Sequence, residues 1–378
     1  MAEIKIGIAG ARGLSYLAGF RSMEGVRITA LCDLDEAILQ QNANRYQIPQ
    51  RYRNLEDLCA SDVDAIFIST PMQLHAAQCI TALQAGKHVL SEVTAGVSLH
   101  ELYCLKNAVE ESGNIYMMAE NFCYRPDTVL VKQLVREGRF GDIYYAETDH
   151  IEDMKFFCRD QNGRRLWRSF WQLGKHGAYY PTHALGPVMQ WLEGDEIREL
   201  SCFGVRPFLY EDIPQEATTT TILRTKLGRM IKLRVDAVSN RPTQISYYGL
   251  QGTLGTLESY RGDPVQQDGA YVYFNDGHIR FKEEHKWQHL QEYYSMLPVE
   301  YQQKLQEGIS FFSIGDYFCA RDFIRAVRGE IPSPVNVYDA CQWTAVALLS
   351  ELSVQNGGKT LPMPNFRGNN HDYAILLP

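Results

Sequence analysis

The sequence predicts an α/β fold, with a doubly wound parallel sheet followed by an α+β domain built on antiparallel strands. In roughly the first 120 residues, short apolar strand patterns alternate with helical patterns, which is typical of a parallel sheet with helices on both faces. Beyond that point, strands with period-two alternation are interspersed with a few helices. This change of rhythm predicts two domains, at 1–122 and 123–378.

The first domain shows a regular succession of strand and helix signals. The apolar run DAIFIS at 64–69 lies between charged flanks, as expected of a strand covered on both faces. Pro71 follows it at a helix start, where the fixed φ of proline fits best. The predicted strands are 4–9, 27–32, 64–69, 88–90 and 115–119, and the predicted helices begin near 14 and cover 35–46, 54–59, 71–85 and 99–112.

The second domain shows longer strands whose side chains alternate between apolar and polar. This period of two is typical of a sheet with one face on a core and one face in solvent. The predicted strands are 143–150, 199–205, 217–223, 230–238 and 244–249, and the predicted helices are 126–137, 181–191, 316–327 and 337–355.

Composition excludes two classes of partner. The formal net charge is -8 and lysine and arginine are scattered, so no basic patch predicts nucleic-acid binding. No apolar stretch approaches the roughly 20 residues of a membrane helix. The chain begins directly with a strand pattern and lacks a secretory h-region, which favours a cytoplasmic protein.

Cysteine and histidine spacing does not predict a metal site. The nine cysteines are scattered without a CxxC pair, so reduced buried thiols are expected. His285 and His289 have i,i+4 helical spacing, but their segment is charged and polar, which favours a solvated helix face. We therefore predict no catalytic metal.

A glycine-rich turn after the first strand is the first cofactor signal. Measured against G-x-G-x-x-G from Gly10, the second position is Arg12 and the third is Ser15, so the match is degenerate. The turn Gly10-Ala11-Arg12-Gly13 still suits a pyrophosphate, because glycine allows close backbone approach and a helix N-terminus offers N–H groups.

Asp33 is the stronger cofactor signal. It ends the second predicted strand twenty-three positions after Gly10, near the spacing of about 20 expected for the acid that binds the adenosine ribose. A carboxylate there accepts hydrogen bonds from both ribose hydroxyls and repels a 2′-phosphate. The sequence therefore predicts NAD rather than NADP.

Three further motifs accompany the turn and Asp33, namely STPMQLH at 69–75, AGKHVLSE at 85–92 and GRFG at 138–141. Together they resemble the Gfo/Idh/MocA family of NAD(P)-dependent sugar oxidoreductases across essentially the whole chain. The resemblance implies an N-terminal Rossmann domain, a C-terminal domain with an open, mostly antiparallel sheet, a sugar or glycoside substrate, and a homodimer or homotetramer formed on the exposed sheet face. It also implies that the cofactor is bordered by Thr70, Pro71, His75 and Glu92.

Two departures from the family pattern bear on the reaction. Members usually continue Glu92 with a lysine that helps proton transfer, and here Val93 follows instead. The segment KHGAYYPTHALGPV at 175–188 has Tyr179 where dehydrogenases of the family have an aspartate. That segment is similar to the branch containing NAD-dependent α-N-acetylgalactosaminidases. The same branch has an acid in a segment similar to 119–124, and its usual tyrosine in the strand after that acid appears here as His150.

Four residues are candidates for proton transfer. His183 follows the helix start at Pro181, where the helix dipole favours a neutral imidazole that can accept a hydroxyl proton. Tyr180 either hydrogen-bonds the same hydroxyl or packs as an ordinary aromatic residue. Glu120 ends a strand at the edge where α/β proteins bind ligands. His150 ends a second-domain strand among acids that could equally form a solvated edge.

Further residues are candidates for holding the substrate. Trp167 lies in an aromatic segment that either stacks on a sugar ring or packs beneath the site. Lys175 and Tyr179 come from the departing motif, and Tyr124 follows Glu120 in a segment similar to one in the glycosidase branch.

Three functions remain open from the sequence. The first is an NAD-dependent sugar oxidoreductase. The second is a glycoside hydrolase in which tightly bound NAD supports oxidation, elimination, hydration and reduction. The third is a non-catalytic NAD-binding regulator, which the missing lysine keeps open and which His183 argues against.

Overall fold

The computed structural model describes residues 3–207, 211–240, 244–260, 269–275 and 286–368. The strands β1–β15 are Ile4–Ala9, Val26–Cys32, Gln50–Tyr52, Ala65–Ile68, His88–Ser91, Tyr116–Met118, Ile143–Ile151, Ile197–Gly204, Thr218–Thr225, Met230–Asp236, Gln244–Gly252, Gly255–Ser259, Ala270–Phe274, Gln288–His289 and Leu361–Pro362. The helices α1–α11 are Leu17–Arg21, Glu36–Tyr46, Leu55–Ala60, His75–Gln84, Leu99–Ser112, Pro126–Arg136, Arg168–Trp171, Thr182–Trp191, Val299–Gln306, Phe311–Val327 and Val337–Gln355.

The chain forms two compact units. Among the described residues, the first unit comprises 3–124, Phe311–Ala345 and 364–368. The second comprises the described parts of Arg125–Ser310 together with Val346–Met363. The predicted partition at 122 assigned all later residues to the second domain. The observed units differ because two later stretches of chain return to the first.

The first unit contains a six-stranded sheet in the order β3-β2-β1-β4-β5-β6, with every recorded pair parallel. Its helices begin and end where capping chemistry predicts. Asp35 accepts hydrogen bonds from the amides of Ala37 and Ile38 at the start of α2. Ser98 caps α5 in the same way, and Gly113 ends that helix in the left-handed conformation.

The second unit contains a nine-stranded sheet in the order β14-β13-β12-β11-β7-β10-β9-β8-β15. Its recorded pairs are antiparallel except for β7 with β10. Helix α8 packs against β7, where the hydroxyl of Thr148 donates to the main-chain oxygen of Ala184 at 2.9 Å. The predicted fold class, a parallel Rossmann-type sheet with a second and mostly antiparallel sheet, is confirmed.

In the part of the chain that the structure describes, no helix is long and apolar enough to span a membrane. The same residues contain no cluster of three or more His, Cys, Asp or Glu side chains that would hold a metal ion. His285 lies outside the described residues, and His289 ends β14.

Candidate active site

The glycine turn after β1 depends on two glycines rather than three. Gly10 has φ +95°, and a Cβ there would lie 2.5 Å from the main-chain oxygen of Ser69. A Cβ on Gly13 would lie 2.8 Å from Cγ2 of Ile8, so Gly13 allows the turn to pack on its strand. Arg12 is exposed, which explains why a long side chain is tolerated at the second motif position.

Ser69 holds this turn in place. Its hydroxyl accepts the amide hydrogen of Gly13 at 2.9 Å and lies 2.7 Å from the main-chain oxygen of Gly10. The residue is buried directly after β4, and its hydrogen bonds connect this strand end to the turn after β1. The predicted site contained Thr70 and Pro71 but not Ser69, although Ser69 opens the same motif.

Asp33 lies half-buried directly after β2, as the spacing predicts. Its Oδ2 accepts the amide hydrogen of Ala11 at 3.1 Å, and its Oδ1 accepts that of Asp35 at 3.0 Å. Each carboxylate oxygen has a second lone pair, so two hydrogen bonds from ribose hydroxyls can still be accepted. A glycine turn that a diphosphate can approach closely, beside a carboxylate that can bind the adenosine ribose, fits NAD.

His75 supports the Thr70–Pro71 loop from behind. It is 1% exposed, and its Nδ1 and Nε2 lie 2.8 and 2.7 Å from the main-chain oxygens of Thr94 and Thr70. Burial lowers the pKa of the His75 imidazole, against the opposing effect of the two carbonyls. Its contacts therefore fix the loop. The hydroxyl of Thr70 lies 2.5 Å from Oε1 of Gln78.

Glu92 and Val93 follow β5. The side chain of Glu92 is 13% exposed, and its Oε1 lies 3.8 Å from Nη2 of Arg12 in the glycine turn. Val93 is buried and apolar. The position of the usual family lysine therefore holds a side chain that cannot transfer a proton.

Glu120 and Tyr124 also lie in the first unit, after β6, and both are buried. Oε1 of Glu120 accepts the amide hydrogen of Phe122 at 3.2 Å. The neighbouring main-chain oxygen of Ala119 accepts the hydroxyl of Tyr16 at 3.3 Å. These contacts fix the segment after the strand.

Three predicted catalytic residues come together in the second unit. The ring centroids of His150 and Tyr180 are 5.8 Å apart, those of His150 and His183 are 6.1 Å apart, and those of Tyr180 and His183 are 4.9 Å apart. His150 is the penultimate residue of β7 and is 1% exposed, whereas the other two are half-buried. We call His150, Tyr180 and His183 the ring cluster. It contains three groups able to hold or move a proton.

The backbone around His183 is fixed by long-range hydrogen bonds. Its own main-chain oxygen accepts the hydroxyl of Tyr248 at 2.7 Å, and the next carbonyl, that of Ala184, accepts the hydroxyl of Thr148. Both donors come from strands of the sheet, β11 and β7. The start of α8 is therefore attached to the sheet that carries His150.

Glu152 extends the ring cluster and was not among the predicted site residues. Its Oε2 lies 3.4 Å from Nε2 of His150. Burial alone would raise the pKa of Glu152, but the contact with His150 and the nearby His183 and Arg168 outweigh burial and hold the pKa below its usual value. In the sequence Glu152 is one of several acidic residues near His150, and only the folded structure shows that it contacts the imidazole.

The predicted substrate-binding residues have different environments. The guanidinium of Arg168 lies 4.4 Å from the ring centroid of Trp167, and Nζ of Lys175 lies 5.7 Å from that of Trp171. Tyr179 is 4% exposed, and burial raises the pKa of its phenol well above the usual value. Trp167 and Lys175 are half-buried at the surface of the second unit, while Tyr179 is part of its interior.

Two family models match the chain. The model described as "Glycosyl hydrolase 109, C-terminal domain" matches residues 124–208 and 211–372. The model described as "Oxidoreductase family, NAD-binding Rossmann fold" matches residues 4–120. The second match confirms NAD as the predicted cofactor.

Individual relatives agree with both models. A glycosyl hydrolase family 109 protein of Shewanella amazonensis is 27% identical over 97% of this chain and 86% of its own length. A protein of Shewanella oneidensis named alpha-N-acetylgalactosaminidase is 26% identical over 100% of this chain and 88% of its own length. The solved structure of levoglucosan dehydrogenase with NADH and L-sorbose shares the fold, with a TM-score of 0.80, 18% identity, and coverage of 97% of this chain and 100% of that one.

The C-terminal model alone matches well over half of the chain, and the Rossmann model matches most of the remainder. The predicted resemblance to the Gfo/Idh/MocA oxidoreductases is confirmed. The chain belongs to the glycosyl hydrolase 109 family, whose NAD-binding Rossmann domain is here formed by residues 4–120.

Proposed function

We propose that the protein cleaves a glycosidic bond in a cycle that oxidises the sugar ring, eliminates the C1 substituent, adds water and restores the ring by reduction. The observation that carries this proposal is the ring cluster with Glu152 beside it. Oxidation of one hydroxyl needs a single base, whereas elimination and hydration need further proton transfers around the same ring. The second unit provides several such groups.

The cofactor side rests on the glycine turn and Asp33. In this proposal Gly10, Ala11, Arg12 and Gly13 hold the diphosphate, and Asp33 accepts the ribose hydroxyls. Thr70, Pro71 and Glu92 border the remainder of the cofactor, and His75 fixes their loop. When bound, NAD supplies a reversible hydride acceptor.

The residues of the ring cluster divide the proton transfers between them. His183 takes the proton of the hydroxyl that is oxidised, and Tyr180 hydrogen-bonds the resulting carbonyl oxygen. The carbonyl acidifies the neighbouring C2–H, and the His150–Glu152 pair takes that proton as the C1 substituent leaves. Glu120 stays a predicted proton donor. A buried valine at position 93 suits this scheme, because the proposed reaction transfers its protons through histidine and tyrosine side chains and does not need the family lysine.

The substrate is a glycoside, with the half-buried Trp167 and Lys175 as its proposed contacts. Tyr124 and Tyr179 stay predicted contacts, although both are buried. An α-N-acetylgalactosaminide is the first probe, because a relative whose alignment covers the full chain carries the name alpha-N-acetylgalactosaminidase. The closely spaced Tyr180 and His183 would equally serve a net dehydrogenase, which is the second candidate function.

The test uses the purified protein and a panel of nitrophenyl glycosides that begins with the α-N-acetylgalactosaminide. We expect release of nitrophenol without net formation of reduced nicotinamide, with NAD retained through gel filtration. Formation of reduced nicotinamide in proportion to oxidised sugar, without nitrophenol, would establish the dehydrogenase instead. If neither product forms with any sugar and His183→Asn leaves NAD binding unchanged, the result favours the non-catalytic NAD-binding regulator.

We also propose that the open face of the second sheet joins copies of this chain into a homodimer or homotetramer. Half-buried residues such as Ile222 and the pair Glu147–Lys232, 3.2 Å apart, lie on its middle strands. Light scattering on Ile222→Lys should show dissociation, and an unchanged mass would reject this face.

The cytoplasm is the proposed compartment, since none of the nine cysteines, all of them described, forms a disulfide.

A further inference from the structure

His176 and Glu216 form a second histidine–carboxylate pair in the second unit, outside the predicted site. Nδ1 of His176 lies 2.7 Å from Oε1 of Glu216. The Glu216 side chain is 7% exposed, and its Oε2 accepts the amide hydrogen of Gly177 at 2.8 Å. Because an ionised carboxylate only accepts hydrogen bonds, it fixes the hydrogen of the neutral imidazole on Nδ1 and leaves the lone pair on Nε2.

The loop that carries His176 is held rigidly. The side-chain amide of Gln215 donates to the main-chain oxygen of Gly177 at 2.8 Å, and the hydroxyl of Ser350 accepts the amide hydrogen of Ala178 at 2.7 Å. Gly177 has φ +79°, and a Cβ there would lie 2.5 Å from the main-chain nitrogen of Glu351. The direction of the His176 ring is therefore set by several independent contacts.

The exposure of His176 distinguishes it from His150. Its side chain is 32% exposed, whereas that of His150 is 1% exposed. Among the described residues, no side chain or main-chain group is recorded within hydrogen-bond distance of its Nε2. A buried orienting carboxylate with an accessible Nε2 is the arrangement by which enzymes make a histidine a general base.

The sheet register places this pair near the ring cluster. The amide of Glu152 donates to the main-chain oxygen of Asp236, and the amide of Ala237 donates to that of Ala217, each at 3.0 Å. Glu152 follows β7, Glu216 lies just before β9, and β10 lies between these two strands. The two chain segments are therefore two strand spacings apart at the same end of the sheet, on the order of 10 Å. His176 also precedes Tyr180 by only four residues.

We propose that His176, oriented by Glu216, is the base that activates water in the hydration step. This inference rests on the proposed function. After elimination the sugar ring holds a C1=C2 double bond conjugated with the C3 carbonyl. Nε2 of His176 takes a proton from water as the oxygen bonds to C1, and the electron pair of the double bond moves to C2 and the carbonyl. The imidazolium then returns the proton to C2, so one water is added and no oxidant or reductant is needed.

The test separates the base from its structural role. In His176→Asn, the side-chain amide nitrogen can replace Nδ1 as the donor to Glu216, so the loop keeps its anchor while Nε2 is lost. In His176→Ala, the hydrogen bond to Glu216 and the Nε2 atom are both lost. His100→Asn, on the exposed surface of α5, is the matched control.

Each holoenzyme is mixed rapidly with the nitrophenyl glycoside that the wild type cleaves. We expect His176→Asn to release the first equivalent of nitrophenol at the wild-type rate and then to turn over about 100-fold more slowly, the lower end for lost general-base catalysis. The near-ultraviolet absorbance of reduced nicotinamide should persist in this variant, because the ring is not restored before water is added. The control should match the wild type.

Two outcomes would overturn the assignment. Wild-type turnover in His176→Asn with a defect only in His176→Ala would mean that the residue is structural. A slowed first release in His176→Asn would place its action before hydration. A wild-type protein that releases no nitrophenol from any glycoside would instead refute the proposed function, and this result is distinguishable from both.

Discussion

Replacement of Gly10 by alanine is the perturbation whose effect follows most directly from the geometry of the cofactor turn. The added Cβ would lie 2.5 Å from the main-chain oxygen of Ser69, where ordinary contacts begin at 3.4 Å. The obstructing atoms are backbone, so no rotamer change relieves the overlap. The turn and the end of β4 must separate by about 1 Å.

A matched control exists in the same unit. Gly86 has φ +77°, close to the +95° of Gly10, but a Cβ there meets nothing within 4 Å. Gly86→Ala therefore pays only the positive-φ penalty, about 1–2 kcal/mol. Gly10→Ala has that penalty together with the overlap, so we expect a further loss of at least about 1 kcal/mol in the free energy of unfolding.

The assay compares thermal midpoints and NAD affinity for both variants. Each kcal/mol should lower the midpoint by about 2–4 °C. We expect Gly86→Ala to bind NAD like the wild type and Gly10→Ala to bind it at least about tenfold more weakly, because its diphosphate turn is displaced. A Gly10→Ala protein with wild-type affinity would refute the placement of the diphosphate at this turn.

Three further predictions concern single side chains. Asp33→Asn should weaken NAD binding by roughly 10- to 100-fold, because hydrogen bonds to a charged acceptor are lost, while NADP binding should not fall; calorimetry with both dinucleotides checks this, and equal losses would contradict it. Thr148→Val should lower the free energy of unfolding by about 1 kcal/mol through loss of the Ala184 hydrogen bond; an unchanged denaturant midpoint would show that this contact does not stabilise α8. Glu152 has a lowered pKa in the folded state. Its contribution to the free energy of unfolding is therefore fully present above its unfolded-state pKa, near 4.5, and is lost as the pH falls through its lower folded-state pKa. The difference in thermal midpoint between the wild type and Glu152→Gln should therefore be constant near neutral pH and shrink in acid, and a pH-independent difference would contradict the lowered pKa of Glu152.

Elements with strong local signals were predicted well. Helix α5 was predicted residue for residue, because Ser98 caps its start and Gly113 ends it. Strand β3, Gln50–Tyr52, was missed, since three residues with two polar side chains show no period. The strand Gly255–Ser259 was missed for a similar reason, because it is short and is defined by its neighbours in the sheet.

The candidate site divides in the same way. Asp33 was predictable because its distance from Gly10 along the chain is set by one βαβ unit. The partnership of Ser69 with Gly13 spans 56 positions, and that of His176 with Glu216 spans 40, so no local pattern encodes either. Glu152 was visible only as one acid among several until the end of β7 placed it beside His150.

The most direct test of a redox-based cleavage is the fate of the C2 hydrogen of the sugar when the reaction is run in deuterium oxide. The account predicts that the released sugar carries deuterium at C2, seen by mass spectrometry and by loss of the C2 proton resonance, because elimination removes that hydrogen and hydration replaces it from solvent. Release of a sugar that keeps its original C2 hydrogen would contradict the account.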